Sequence, residues 1–101
     1  MEQFVSGDKV DWADDGYKEG MIRAFGAGPF IVRGVENDAP DETGQVFQSI
    51  AIEKIVDGKK YAWVSHKRSW IEDAPMFDDR GRRAYMAVPP TFTNICFKKV
   101  S

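Results

Sequence analysis

Side chains able to perform covalent chemistry are few in this chain, which has one histidine, His66, and one cysteine, Cys96. A catalytic triad needs a serine and a histidine that a third group orients, and the residues around Ser65 and His66 form no recognisable pattern of that kind. A nucleophilic cysteine needs a helix N-terminus or a nearby cation to lower its pKa. Cys96 lies instead in an apolar, strand-like run. We therefore expect no catalytic residue and no enzymatic activity.

Metal ligands are equally sparse. Structural zinc sites combine several cysteines and histidines, and the chain has one of each. Residues 11–16 are rich in aspartate like a calcium loop, but Ala13 and Ile22 occupy positions where that loop requires oxygen ligands. The neighbouring acids Asp14 and Asp15 do not provide the two facing carboxylates of a glycosidase. The sequence thus predicts neither a metal site nor a cofactor.

Length and composition favour one domain, residues 1–101, with a single hydrophobic core. The chain is 43% hydrophobic, 13% aromatic and 30% charged. No apolar run approaches the roughly 20 residues that cross a bilayer, and the N-terminus lacks the basic start and apolar stretch of a secretory signal. The single cysteine fits a reducing compartment. We expect a soluble, cytoplasmic protein without a membrane partner.

Charge is distributed unevenly along the chain. Residues 1–57 contain five bases and twelve acids, a net charge of −7, whereas residues 58–101 contain nine bases and four acids, a net charge of +5. Such an asymmetry can mark a binding face. Alternatively, the two halves interleave in space and their charges balance.

Glycines and prolines separate short runs rich in β-branched and aromatic residues, a pattern typical of strands joined by turns. The strands predicted from it cover residues 8–12, 18–25, 30–35, 45–56, 69–72, 83–88 and 92–100. Asp57-Gly58 is the strongest hairpin signal, because a type I′ turn needs positive φ at both central positions. The resulting register pairs Val56 with Lys59, Lys54 with Tyr61 and Ile52 with Trp63. In the last strand, alternation places four residues on one face: Phe92, Asn94, Cys96 and Lys98.

Two motifs carry a family resemblance. The run Gly-Asp-Lys-Val-Asp-Trp at 7–12, followed by Gly-Met-Ile at 20–22, resembles the opening of SH3-like barrels of the KOW and Tudor-like kind. Residues 26–32 resemble a Gly-Pro-Phe-x-Val hairpin of small bacterial and phage proteins with that barrel. The resemblance covers about residues 4–72. It implies a mainly β fold, a small SH3-like barrel of about five strands with a C-terminal β extension, and it implies no particular ligand.

Two binding functions remain open. The first is a protein-binding module, such as a phage or bacterial accessory or inhibitory protein acting on a host protein, because aromatics and arginines dominate interface energetics. The second is a nucleic-acid-binding domain that uses the basic C-terminal half, since aromatics in a basic groove grip single strands. Either form could be a monomer or a homodimer. The candidate binding residues are Trp12, Asp14, Asp15, Tyr17, Lys67, Arg68, Trp70, Phe77, Arg82, Arg83 and Tyr85.

Overall fold

The computed structural model describes residues 2–64, 68–72 and 92–100. Seven strands form one antiparallel sheet, and the mainly β class predicted from the sequence is confirmed. The strands are β1 (Lys9–Trp12), β2 (Phe30–Asn37), β3 (Gln48–Val56), β4 (Lys59–Val64), β5 (Ser69–Glu72), β6 (Phe92–Thr93) and β7 (Phe97–Lys99). The helices are α1 (Lys18–Phe25) and a 3-10 helix (Asn94–Cys96). No helix in these ranges is long and apolar enough to cross a membrane.

The sheet is open, so the predicted closed barrel is wrong. Its strand order is β5-β4-β3-β2-β1-β7, and the short β6 pairs with β3. Closure requires the two outermost strands to hydrogen-bond to each other. Within the described ranges β5 pairs with β4 alone and β7 with β1 alone. The SH3-like relationship implied by the motif at 7–12 stays a prediction.

The predicted hairpin between β3 and β4 is present. Asp57 and Gly58 both have positive φ, 52° and 79°, as a type I′ turn requires. The ladder contains two of the predicted pairs, Val56 with Lys59 and Lys54 with Tyr61, and ends at Glu53 with Ala62. It therefore stops one position before the predicted pair of Ile52 with Trp63.

Residues 18–25 form α1, and the strand predicted there is wrong. Met21 and Phe25, four residues apart, both pack against the core. Glu19 and Arg23 have the same spacing on the exposed side and form an ion pair with 3.5 Å between Oε1 and Nη2. Neighbours at this spacing share one side of a helix. The helix ends at Gly26, whose φ of 97° suits a residue without a side chain.

The last segment is interrupted by the 3-10 helix, so it is not the single strand predicted at 92–100. Phe92, Asn94 and Phe97 are buried, whereas Ile95 is exposed. A 3-10 helix repeats every three residues rather than every two. The repeat of three places residues 94 and 97, which strict alternation would put on opposite faces, together on the buried side. Cys96, predicted to share the face of Asn94, is half-buried.

Aromatic rings fill the core, and Trp12 lies at their centre. The distances from the Trp12 ring centroid to the rings of Phe30, Phe97, Phe92 and Phe25 are 5.0, 5.1, 5.6 and 5.9 Å. Aromatic pairs at such separations stabilise a core beyond the area that they bury. The cluster therefore holds α1, β2 and the C-terminal segment against β1.

A buried amide network ties both chain ends to β3. Gln48 accepts a hydrogen bond from the backbone N–H of Phe4 (2.8 Å) and donates from Nε2 to the Phe4 carbonyl (2.9 Å) and to Asn37 Oδ1 (2.8 Å). Asn94 accepts from the Gln48 backbone N–H (3.1 Å) and donates to the Glu2 carbonyl (2.8 Å). Buried polar groups that are fully bonded in this way specify one packing arrangement. The network thus fixes the 3-10 helix in place.

Candidate functional site

A pocket of about 330 Å³ lies between the loop at 13–17, α1 and the 3-10 helix. We call it the helix pocket. Its lining includes Trp12, Asp15, Tyr17, Met21, Ile95 and Cys96. Three of the residues predicted to bind a partner, Trp12, Asp15 and Tyr17, therefore meet at one site.

The base of the helix pocket is formed by packed core residues. Trp12 is fully buried, and its indole N–H donates to the carbonyl of Gly26 at 2.8 Å. Its side chain belongs to the core and also lines the helix pocket, so a role of Trp12 in binding stays a prediction. Met21 and Cys96 are half-buried beside it. A pocket on such a base needs little rearrangement to accept a ligand.

Two large side chains at the helix pocket are exposed to solvent. Tyr17 is 80% exposed and Ile95 is 55% exposed. Each comes from a different element, Tyr17 from the residue before α1 and Ile95 from the 3-10 helix. Covering apolar surface contributes about 25 cal/mol per Å². A partner that fills the pocket would therefore also gain free energy from these two side chains.

The loop at 13–17 is held by local hydrogen bonds. Asp15 Oδ1 accepts from the backbone N–H of Tyr17 at 2.8 Å, an arrangement typical of aspartate in turns. The N–H of Ala13 donates to the carbonyl of Cys96 at 2.8 Å. These contacts fix Tyr17 relative to the 3-10 helix. Asp15 itself is exposed, so its carboxylate can also meet a cation of a partner.

Asp14 is engaged in two ion pairs. Its Oδ1 lies 2.7 Å from Lys18 Nζ, and its Oδ2 contacts Lys98 Nζ. Hydrogen bonds from these two ammonium groups lower the pKa of Asp14 from 3.8 to about 2. The same contact with Asp14 raises the pKa of Lys18. Asp14 thus links the start of α1 to β7 and does not offer an unpaired charge to a partner.

Three other predicted binding residues lie within the described ranges, and none of them lines the helix pocket: Asp14, Arg68 and Trp70. Trp70 is half-buried, with its ring stacked on Phe30 at 5.6 Å between centroids and its indole N–H donating to the Phe25 carbonyl at 2.9 Å. Arg68 is exposed in the turn before β5 and has a φ of 50°. The remaining candidates lie outside the described residues: Lys67, Phe77, Arg82, Arg83 and Tyr85. His66 lies outside them as well.

The sequence did not predict Met21, Ile95 and Cys96 as parts of the site. The spacing of four between Met21 and Phe25 is the signal that could have placed Met21 on a helix facing inward. Ile95 and Cys96 carry no comparable signal, because their positions depend on the 3-10 helix. Cys96 Sγ lies 3.6 Å from Thr93 Oγ1.

The chemistry that this arrangement supports is noncovalent recognition. The helix pocket combines apolar walls with the exposed carboxylate of Asp15 and with Lys18, whose ammonium is paired with Asp14. In the parts of the chain that the structure describes, no three residues among His, Cys, Asp and Glu are grouped as metal ligands would be. Comparisons with models of protein families, with curated proteins and with solved structures gave no match to this chain.

Proposed function

We propose that this protein is a non-catalytic protein-binding module and that its partner inserts an apolar side chain into the helix pocket. The observation that carries the proposal is the exposure of Tyr17 and Ile95 beside a preformed apolar pocket. Its volume of about 330 Å³ is near the lower end of ligand sites, which hold about 300–1,000 Å³. That volume suits one or two side chains.

Charge at the helix pocket favours a partner with a basic residue beside the inserted one. Lys18 lines the pocket, but its charge is balanced by Asp14, which Lys98 contacts as well. Asp15 is exposed, and its carboxylate accepts a hydrogen bond from the backbone N–H of Tyr17 without forming an ion pair with any described residue. Complementary charges at an interface set the orientation of the partner more than its affinity. Tyrosine, as at position 17, is one of the residue types that dominate binding energy.

An accessory or inhibitory action on a host protein, in a phage or bacterial setting, is consistent with this site. A small module that covers part of another protein can act without chemistry of its own. The nucleic-acid alternative relies on the basic residues of 58–101. Of the two aromatics interleaved with them, Trp70 already stacks on Phe30, and Tyr85 lies outside the described residues. We therefore favour a protein partner.

A pull-down from the native host tests the proposal. The wild-type chain is expected to recover a stoichiometric partner, and Tyr17→Ala and Ile95→Glu are each expected to reduce that recovery at least tenfold. Val5→Glu is the matched control, because Val5 is 64% exposed and does not line the helix pocket. Circular dichroism of each variant verifies that it is folded.

Equal recovery by Ile95→Glu and Val5→Glu would contradict a role for the helix pocket. The nucleic-acid alternative predicts a different result. In that case the wild-type chain retards DNA or RNA at low salt, and the retardation disappears as salt rises, because bound counterions are released.

A further inference from the structure

A second pocket, of about 270 Å³, lies where β1, β2 and β3 adjoin. We call it the lysine pocket. Four of its lining residues are apolar and two are lysines: Pro29, Phe30, Ile31, Ile55, Lys9 and Lys54. It shares no lining residue with the helix pocket.

The two lysines of this pocket lack acidic partners among the described residues. Neither Lys9 nor Lys54 forms an ion pair there, whereas four other lysines do: Lys18, Lys59, Lys98 and Lys99. Lys54 is half-buried, and its Nζ lies 4.3 Å from the ring centroid of Trp70. A cation–π contact holds that ammonium in place without neutralising it. The pocket therefore presents two positive charges beside apolar walls.

An exposed apolar side chain forms part of the lysine pocket. Ile55, which lines the pocket, is 57% exposed, whereas Val56, the next residue of β3, points to the opposite face of the sheet. Lys60 is the cross-strand partner of Ile55. Glu53 is the acid nearest in the ladder, where it opposes Ile31 and interacts electrostatically with Arg33. Ile55 thus adds an exposed apolar wall to the pocket, with the basic Lys60 across from it.

We propose that the lysine pocket is a second docking site, independent of the helix pocket, for a polypeptide segment in which an acidic side chain adjoins a large apolar one. The carboxylate would lie near Lys9 and Lys54, and the apolar side chain would contact Pro29 and Ile55. Charge complementarity identifies the acidic residue. The exposed Ile55 favours a polypeptide over a small anion, because a small anion would leave it uncovered.

The test uses two capped peptides, acetyl-Gly-Glu-Leu-Glu-Gly-amide and its counterpart with glutamine in place of glutamate. The readout is the methyl NMR signals of Ile31 and Ile55, with Ile95 of the helix pocket as an internal reference. The glutamate peptide is expected to shift Ile31 and Ile55 saturably, with a Kd of about 1 mM or below. The glutamine peptide is expected to bind at least tenfold more weakly. Added salt is expected to weaken the binding of the glutamate peptide, because salt screens charge pairs.

Single substitutions test whether the charges of Lys9 and Lys54 bind the glutamate peptide. Lys9→Gln and Lys54→Gln are each expected to raise the Kd of the glutamate peptide about three- to tenfold, a range consistent with partly screened charge pairs. Arg23→Gln is the matched control, since it removes one positive charge outside the lysine pocket. The indole N–H signal of Trp70, which is bonded to the Phe25 carbonyl, verifies that Lys54→Gln keeps the local fold.

Three outcomes would overturn the proposal. One is the absence of saturable shifts at Ile31 and Ile55, and another is equal binding of the two peptides. The third is a shift of Ile31 and Ile55 by a thymidine oligonucleotide at concentrations where the glutamate peptide has no effect. Shifts confined to Ile95 count as the first outcome and would place the peptide in the helix pocket.

Discussion

Replacing Gln48 by leucine removes the centre of the buried amide network while keeping a side chain of similar length. Gln48 is 3% exposed and makes three side-chain hydrogen bonds, two with the backbone of Phe4 and one with Asn37. In Gln48→Leu the N–H and the carbonyl of Phe4 lose their partners. Asn37 is exposed, so water can replace its lost bond.

The cost of Gln48→Leu follows from these two backbone groups. Each buried polar group left without a partner costs about 1–3 kcal/mol. The apolar surface that leucine adds to the core offsets part of this loss, at about 25 cal/mol per Å². We expect the free energy of unfolding to fall by about 2–4 kcal/mol. For a chain of this size the midpoint of thermal unfolding should then fall by about 10–20 °C.

Urea unfolding followed by tryptophan fluorescence measures the change, with Gln45→Leu as the matched control. Gln45 is exposed, so the control is expected to change the free energy of unfolding by less than about 0.5 kcal/mol. A loss in Gln48→Leu no larger than that in Gln45→Leu would refute the reasoning, because it would mean that the amide network contributes nothing to stability.

Two further predictions concern other contacts. NMR titration of Asp14 should give a pKa of about 2, and Lys98→Met should raise that pKa toward 3.8. Because the pKa is lowered in the folded protein, the stability that depends on this carboxylate is present above pH 3.8 and is lost as the pH falls toward 2. An unchanged midpoint in Lys98→Met would contradict the ion pair. Gly28→Ala should lower the unfolding temperature, because its Cβ would lie 2.5 Å from Asp11 Oδ1. Gly20→Ala has open space around it in α1 and should raise stability by about 0.5–1 kcal/mol. Equal effects of the two alanines in thermal unfolding would contradict this account.

Local patterns in the sequence correctly predicted the strands near 8–12, 30–35, 45–56 and 69–72 and the hairpin at Asp57 and Gly58. The strand predicted at 83–88 lies outside the described residues. The turn at Asp57 and Gly58 fixes its own register, because a two-residue loop leaves one pairing of the flanking strands. Residues 18–25 were harder, since a run of eight is too short to separate a helix from a strand by periodicity. The helix is favoured because Met21 and Phe25 both pack on the core. That packing is a tertiary contact, which the local sequence does not show.

The candidate site was predicted in part. Asp15 and Tyr17 follow a strand in a polar turn, so their exposure could be expected from the sequence. The burial of Trp12 could not, because the rings that surround it come from distant segments such as Phe92 and Phe97. The helix pocket exists only where those segments meet α1. Periodicity within one strand carries no information about the contact between the C-terminal segments and α1.

Site-specific photo-crosslinking in a host lysate tests the central claim most directly. One chain carries a photoreactive benzoylphenylalanine in place of Tyr17, and the other carries it in place of Val5, which is exposed elsewhere. We expect one host polypeptide to be crosslinked through position 17 and not through position 5, with the adduct lost when Ile95→Glu is added. An adduct that forms equally through position 5, or that persists in Ile95→Glu, would contradict binding at the helix pocket.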